Sequence, residues 1–228
     1  MSEIIVALDY SVERDALLMA DKLDPELCKL KVGKELFTSC GPSVVNQLHK
    51  RGFKVFLDLK FHDIPNTVAK ACKAASDLGV WMVNVHAMGG IAMMEAARKA
   101  VNEAGPDKPH LIAVTLLTSS GVAELEQLGI KESPVDFVKR LARSAQLCEL
   151  DGVVCSAQEA RDLRKQCGHK FMLVSPGIRP ADATLNDQQR VATPVEAKRD
   201  GVNCMVIGRP ITQAADPNYM LREILNSI

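Results

Sequence analysis

Short apolar runs rich in β-branched residues alternate eight times with amphipathic helical patterns along this chain of 228 residues. The predicted strands are residues 4–8, 27–32, 54–59, 81–86, 111–116, 152–155, 171–175 and 204–207. The predicted helices are residues 14–23, 42–51, 65–78, 91–103, 134–149, 157–167, 194–200 and 218–226. Strict alternation implies a parallel sheet, and eight units in this length favour a closed barrel over an open doubly wound sheet. We therefore predict an α/β fold, a single (β/α)8 TIM barrel in which residues 1–228 form one domain, with the open sheet as the alternative.

The composition excludes several classes of protein. Lys plus Arg and Asp plus Glu both number 28, so the formal net charge is zero, and only 4% of residues are aromatic. The chain has no basic stripe interleaved with aromatic residues, which argues against nucleic-acid binding. No apolar run is long enough to cross a bilayer, and residues 3–8 fit a strand rather than the core of a signal peptide. The seven cysteines form no C-x-x-C pair, so we expect free, mostly buried thiols in a cytoplasmic protein.

Polar and charged residues follow the carboxyl ends of most predicted strands. In barrels of this type the reactive groups gather at those ends, which all open onto one face. The strand-end residues with chemistry to offer are Asp9, Lys31, Asp58, Lys60, Thr118, Ser119, Arg179, Gly208 and Arg209. Any one of them is compatible with an ordinary loop, but their convergence on one mouth predicts a functional site there.

Three charged residues with D-x-K-x-x-D spacing, Asp58, Lys60 and Asp63, end the third predicted strand. Alternate residues of a strand share a face, so Asp58 and Lys60 point the same way, opposite to the apolar side chains around them. Together with Lys31 the three residues have alternating signs, which a buried site can hold as a neutral network. An ammonium fixed in this way can stabilise a carbanion and then donate a proton to it. A structural ion pair and a Schiff-base lysine are the alternatives, although flanking carboxylates favour a charged ammonium, which is a poor nucleophile.

Other polar residues near the barrel axis or mouth have structural interpretations. Lys29 shares a strand face with Lys31, and we expect it at the entrance of the strand, away from the mouth. The histidines are scattered without a familiar metal-binding spacing, and His62 and His86 better fit hydrogen-bonded structural roles. Gly89-Gly90 lacks the dinucleotide fingerprint, and the chain has no Gly-x-Ser-x-Gly elbow. The residues therefore predict no metal site and give no signal for a dinucleotide cofactor.

The last two strand ends predict a phosphate site. Gly208-Arg209-Pro210 offers an accessible backbone and an always-charged guanidinium, and the loops after strands seven and eight commonly hold phosphate in these barrels. Arg179 is a candidate for a second cation. Residues 181–189 lack strand or helix patterning and lie beside this site, so they are interpreted as a lid over substrate, with a plain connecting loop as the alternative.

These segments together resemble the orotidine 5'-phosphate decarboxylase family, in its bacterial branch. The resemblance covers nearly the whole chain and includes residues 7–9, 31–37, 58–67, 83–87, 176–180 and 206–210. The stretch 58–67 is a highly specific signature, and the other segments accompany it in the same order. The resemblance implies cofactor-free decarboxylation of orotidine 5'-monophosphate (OMP) to UMP, the last step of de novo pyrimidine synthesis.

The resemblance also implies a role for each candidate residue. Lys60 would be the proton donor, Asp58 would face the departing carboxylate, and Lys31 and Asp9 would bind the ribose hydroxyls. Asp63 and Thr67 would reach into the site of the neighbouring subunit, which implies a homodimer with shared sites, and Ile64 would be a further substrate-binding residue. Residues implied to read the pyrimidine or to bind phosphate are Thr118, Ser119, Pro176, Arg179, Gln188, Gly208 and Arg209. The lid has no glycine, and Gln189 remains the alternative to Gln188 as the phosphate ligand.

Two other functions remain open at this point. Metal-dependent sugar-phosphate decarboxylases or aldolases share the barrel and the D-x-K-x-x-D pattern, but they place an acidic metal ligand at the end of strand two. Here that position is Lys31, which would repel Mg²⁺. A non-catalytic phosphate-binding barrel is the second rival, although buried charges without a reaction would be an unusual cost.

Overall fold

The structure, a computed structural model, describes residues 3–180 and 192–228. Eight parallel strands pair in sequence order and close into a barrel, which confirms the predicted fold class. The strands are β1 Glu3–Leu8, β2 Lys29–Gly33, β3 Val55–Phe61, β4 Met82–His86, β5 His110–Val114, β6 Gly152–Val154, β7 Met172–Ser175 and β8 Cys204–Ile207. The closing pair places Ile4 of β1 opposite Met205 of β8.

Helices follow the strands and cover the outside of the barrel. They are α1 Glu13–Ala20, α2 Lys34–Cys40, α3 Pro42–Lys50, α4 Pro65–Asp77, α5 Ile91–Asn102, α6 Val122–Gln127, α7 Pro134–Leu147, α8 Ala157–Cys167, α9 Pro194–Arg199, α10 Arg209–Thr212 and α11 Pro217–Asn226. Proline in the first turn starts several of them, where its missing N–H would have no partner in any case. Ser156 and Glu159 form a reciprocal capping box at the start of α8.

The sequence predictions missed the short elements. Helices α2, α6 and α10 and a 3₁₀ turn at Ala87–Gly89 were not predicted from periodicity. Each has seven residues or fewer, which is too short to display a full amphipathic repeat. The other elements were predicted to within three residues at each end, and the limits of α8 and β8 were predicted correctly.

Two apolar layers follow from the alternation of side chains along the strands. One lies between strands and helices and holds most of the buried residues, among them Leu57 of β3. The other fills the barrel axis with Ile5, Ala7, Phe56, Met82, Ile112, Val174, Cys204 and Val206. Phe56 and Asp58 therefore lie on the axial face of β3, as the period of two predicts.

Two lysines of β2 face the barrel axis, one toward each end of the strand. Lys29 forms an ion pair with Glu3, with Nζ 2.7 Å from Oε1, and its ammonium lies 4.6 Å from the ring centroid of Trp81. Glu3 begins β1, so this lysine belongs to the amino-terminal end of the barrel, as predicted. Lys31 lies two residues further along, toward the mouth.

The pairing of β3 with β4 is irregular next to the candidate site. Leu57 pairs with Val83 and Phe61 pairs with Val85, so residues 58–60 face the single residue Asn84. Lys60 has a φ of 55°, in the left-handed region that residues with a side chain rarely adopt. The tertiary structure therefore imposes a bulge where the sequence predicted a regular strand end.

The cysteines are free, and six of the seven are buried. Burial raises the pKa of the thiols of Cys28, Cys72, Cys155 and Cys204 to about 12. Within the described ranges, no helix combines the length and apolar character needed to cross a membrane.

Candidate active site

Three of the predicted charges form a compact cluster at the carboxyl ends of β2 and β3. Lys60 Nζ lies 2.6 Å from Asp58 Oδ1, and Lys31 Nζ lies 3.6 Å from Asp58 Oδ2. Lys31 Nζ also donates to Oδ1 of Asp9 at 3.1 Å. Two carboxylates and two ammoniums thus balance one another, although Asp9, which follows β1, is largely exposed.

Asp58 is the central and most buried member of this cluster, with 8% of its surface exposed. Burial by itself would raise the pKa of Asp58. The ammoniums of Lys31 and Lys60, together with hydrogen bonds from Lys60 and Asn84, outweigh burial and hold the pKa below its usual range. Asp58 is therefore a carboxylate at neutral pH, and it places a negative charge beside both Lys31 and Lys60.

Asn84 completes the cluster and was not predicted as a site residue. It is fully buried in β4 and donates from Nδ2 to Asp58 Oδ1 at 2.7 Å. Its Oδ1 accepts the backbone N–H of Lys60 at 2.8 Å. The one sequence signal was an amide inside an apolar strand, because a buried polar side chain needs partners.

Asp63 lies apart from the other three charges within one chain. Asp63 is exposed, and its carboxylate accepts the N–H of Ile64 at 2.6 Å. No ion pair involving Asp63 occurs within residues 3–180 and 192–228. Ile64 is 67% exposed and Thr67, in the first turn of α4, is exposed as well. Three of the four charges of the predicted network therefore meet within the described residues of one chain, and Asp9 rather than Asp63 is the second carboxylate.

A cavity of about 230 Å³ joins the charged cluster to the predicted phosphate segments. Its lining includes Lys31 and Asp58 on the one hand, and Arg179, Gly208 and Arg209 on the other. Arg179 is buried and follows Gly177, whose φ of 76° turns the chain sharply after Pro176 and β7. The backbone N–H of Arg179 donates to Ala192, which fixes this loop against the start of the α9 segment.

The other predicted substrate-binding residues are not part of the charged cluster. Thr118 and Ser119 lie in the loop after β5, the first partly buried and the second exposed. Gln188 and Gln189, with the predicted lid 181–189, lie outside the described residues.

His62 and His86 stack at the mouth, with ring centroids 5.4 Å apart. Burial, followed by the charges of His62, Lys34 and Lys60, lowers the pKa of His86 to about 4. His86 Nδ1 is buried and lacks a hydrogen-bond partner in the part of the chain that the structure describes. Among the described residues, ring stacking rather than a hydrogen bond at Nδ1 is therefore the contact observed for His86.

The described residues contain no group of three or more His, Cys, Asp or Glu side chains that could hold a metal ion. At the mouth, Lys31 binds both Asp9 and Asp58, so the carboxylates that a cation would need already carry an ammonium. This donor set fits charge pairing with a substrate better than coordination of a hard divalent cation.

Comparisons with known proteins agree with this geometry. Residues 2–224 match the family described as "Orotidine 5'-phosphate decarboxylase / HUMPS family". The chain is 59% identical to an orotidine 5'-phosphate decarboxylase of Sodalis glossinidius over 227 residues, covering 100% of this chain and 90% of the relative. It is 57% identical to one of Vibrio cholerae over 226 residues, covering 99% of this chain and 98% of the relative.

A solved structure gives the same result in three dimensions. The orotidine 5'-phosphate decarboxylase of Lactobacillus acidophilus superposes with a TM-score of 0.89 at 38% identity, covering 100% of this chain and 99% of the other. A family match along nearly the full length, supported by close relatives, leaves one conclusion: the chain belongs to the orotidine 5'-phosphate decarboxylase / HUMPS family.

Proposed function

We propose that this chain is an enzyme that decarboxylates OMP to UMP and CO₂ without a metal or cofactor, with Lys60 as the group that acts on the reacting carbon. The observation that carries the proposal is the Lys31–Asp58–Lys60 cluster, with N–O distances of 3.6 and 2.6 Å, of which Lys31 and Asp58 line the cavity. The family match and the names of the close relatives support the same reaction.

The chemistry requires stabilisation of negative charge on a ring carbon. The bond between C6 and the carboxylate breaks heterolytically, CO₂ leaves, and the bonding electron pair stays on C6. The ammonium of Lys60 stabilises this carbanion and then transfers a proton to C6, which yields UMP and a neutral lysine that regains its proton from water. Asp58 pairs with the ammonium of Lys60 and orients it before the reaction.

Other strand-end residues bind the parts of the substrate that do not react. Asp9 and Lys31, already joined at 3.1 Å, offer an acceptor and a donor for ribose hydroxyls. Arg209, with Gly208 and Arg179 in the same cavity, binds the 5'-phosphate, aided by Gln188. Thr118 and Ser119 contact the pyrimidine edge. Binding energy from these remote groups lowers the barrier only when it is used to hold the reacting carbon against Lys60.

We further propose a homodimer in which Asp63, Ile64 and Thr67 complete the site of the partner subunit. Asp63 is exposed and unpaired with the charged cluster, although it belongs to the same D-x-K-x-x-D segment. Ile64 is a large apolar residue that is 67% exposed, and Met88, in the 3₁₀ turn after β4, and Ile91, at the start of α5, are also exposed. Exposed apolar groups beside a functional site are typical of a surface that a second subunit covers.

The direct experiment is to follow the ultraviolet absorbance of OMP with purified protein, with and without EDTA. We expect equal turnover in both samples and UMP as the product. Lys60→Ala should abolish turnover. Lys29→Ala is the matched control, because Lys29 is also partly buried and paired with a carboxylate at 2.7 Å, but at the other end of the barrel.

Three results would overturn the proposal. If OMP is not consumed, the proposed reaction is wrong, and if EDTA removes the activity, the reaction requires a metal. If Lys60→Ala keeps near-normal turnover while the protein remains folded, Lys60 is not the proton donor.

A further inference from the structure

We propose that Asn84 is a positioning residue for the decarboxylation, because it holds both the backbone of Lys60 and the carboxylate of Asp58 in place. This inference rests on the function proposed above and adds a residue to its machinery. Asn84 lies on β4, whereas the charges that it contacts are on β3.

The hydrogen bonds of Asn84 fix the orientation of its amide. Its Oδ1 accepts the N–H of Lys60 at 2.8 Å, and its Nδ2 donates to Asp58 Oδ1 at 2.7 Å. The opposite orientation would set an N–H against an N–H and an oxygen against a carboxylate. Asn84 is 0% exposed, so water cannot easily replace either bond.

The backbone at Lys60 explains why the side chain of Asn84 is needed. Residues 58–60 of β3 face the single residue Asn84 of β4, which interrupts the regular main-chain ladder. The amide oxygen of Asn84 takes the place of a carbonyl and receives the Lys60 N–H. Lys60 has a φ of 55°, a conformation that costs a residue with a Cβ about 1–2 kcal/mol and persists only when its surroundings enforce it.

The same amide also shapes the charge pair. Asp58 Oδ1 receives both Asn84 Nδ2 at 2.7 Å and Lys60 Nζ at 2.6 Å. Loss of Asn84 removes one of these donors and frees the backbone that carries the other. Lys60 then has fewer constraints on where Nζ lies, and a displacement of about 1 Å at a reacting group lowers a rate by about 100-fold.

The test uses two variants and one control. Asn84→Ala removes both hydrogen bonds, and Asn84→Asp keeps an acceptor for Lys60 while it turns the donor to Asp58 into a second carboxylate. Thr115→Val is the matched control, because Thr115 is also 0% exposed and its Oγ1 donates to the carbonyl of Val154 at 2.9 Å rather than to Lys60 or Asp58. All proteins are compared by thermal unfolding, kcat and KM for OMP, and the dissociation constant for UMP.

A positioning role predicts a specific pattern. Asn84→Ala should lower kcat by about 100-fold, while KM and UMP affinity change less than about threefold. Thr115→Val should lower the melting temperature with kcat within about twofold of the wild type. In Asn84→Asp the two adjacent carboxylates would share a proton, which restores a donor to Asp58. Its kcat relative to wild type should therefore fall as pH rises from 5 to 8.

The outcomes separate this inference from the proposed function. If the wild type does not consume OMP, the proposed function fails and this inference fails with it. If the wild type is active but Asn84→Ala matches Thr115→Val in kcat, only the role of Asn84 is overturned. If Asn84→Ala does not fold, the near-isosteric Asn84→Asp decides the question, and a kcat ratio to wild type that stays constant with pH contradicts the role.

Discussion

Replacement of Asp58 by asparagine tests whether the charged cluster is as tightly coupled as its geometry indicates. The change keeps the size of the side chain but removes the negative charge that contacts both Lys31 and Lys60. With N–O distances of 2.6 and 3.6 Å and an effective dielectric near 20, the two attractions amount to about 6 and about 5 kcal/mol in gross Coulomb terms. Desolvation offsets most of this energy.

The net cost is set mainly by the ammonium of Lys60, because Lys31 keeps its ion pair with Asp9 at 3.1 Å. Removing one partner of a buried ion pair leaves its counterpart buried and unpaired, which typically costs about 3–5 kcal/mol. We expect the free energy of unfolding of Asp58→Asn to fall by about 3 kcal/mol. For a chain of this size, that loss corresponds to a decrease of about 9 °C in the melting temperature.

The assay is urea unfolding of wild type and variant at several pH values. The folded-state pKa of Asp58 is lowered relative to the unfolded chain, so its contribution to stability is complete above the unfolded pKa of about 4. The contribution disappears only as pH falls through the still lower folded value. The difference between wild type and Asp58→Asn should therefore be constant between pH 7 and 5 and decrease below about pH 4.

Asp21→Asn provides the control for burial. Asp21 accepts from Arg51 at 2.8 Å, a distance close to that of the Lys60–Asp58 pair, but it lies on the surface. An exposed pair of this kind contributes less than about 1 kcal/mol. The reasoning is refuted if Asp58→Asn and Asp21→Asn destabilise the protein equally, or if the pH dependence already appears between pH 7 and 5.

Three further predictions concern the remaining parts of the site. Arg209→Ala should reduce kcat/KM for OMP by at least about 100-fold yet hardly change turnover of the bare nucleoside orotidine; an equal loss with both substrates would exclude a phosphate role. Mixed Asp63→Ala and Lys60→Ala proteins, each inactive alone, should regain part of the activity after subunit exchange, and verified exchange without recovery would contradict shared sites. His86, whose pKa is lowered to about 4, should stay neutral in NMR titrations between pH 8 and 5.5. In the unfolded chain the same imidazole takes up a proton at a higher pH, so the free energy of unfolding should decrease as pH falls from about 6.5 toward 4. His86→Gln should weaken that decrease.

The sequence was sufficient to predict the barrel and the mouth because both follow from local patterns. Burial on both sides gives each strand its apolar run, and the period of two places Asp58 on the axial face while Leu57 packs beneath the helices. The same period correctly separated Lys29 at the amino-terminal end from Lys31 at the mouth. The family resemblance, which rests on the linear order of short segments, was equally accessible without coordinates.

The role of Asn84 could be decided only by the tertiary structure. Its contact with Lys60 depends on how β3 and β4 align, and an irregular pairing that sets residues 58–60 against one residue cannot be read from either strand alone. The left-handed backbone at Lys60 has no local sequence cause either, because the residue is a lysine rather than a glycine. Local periodicity determined which faces are buried, whereas the register between strands determined which buried polar atoms meet.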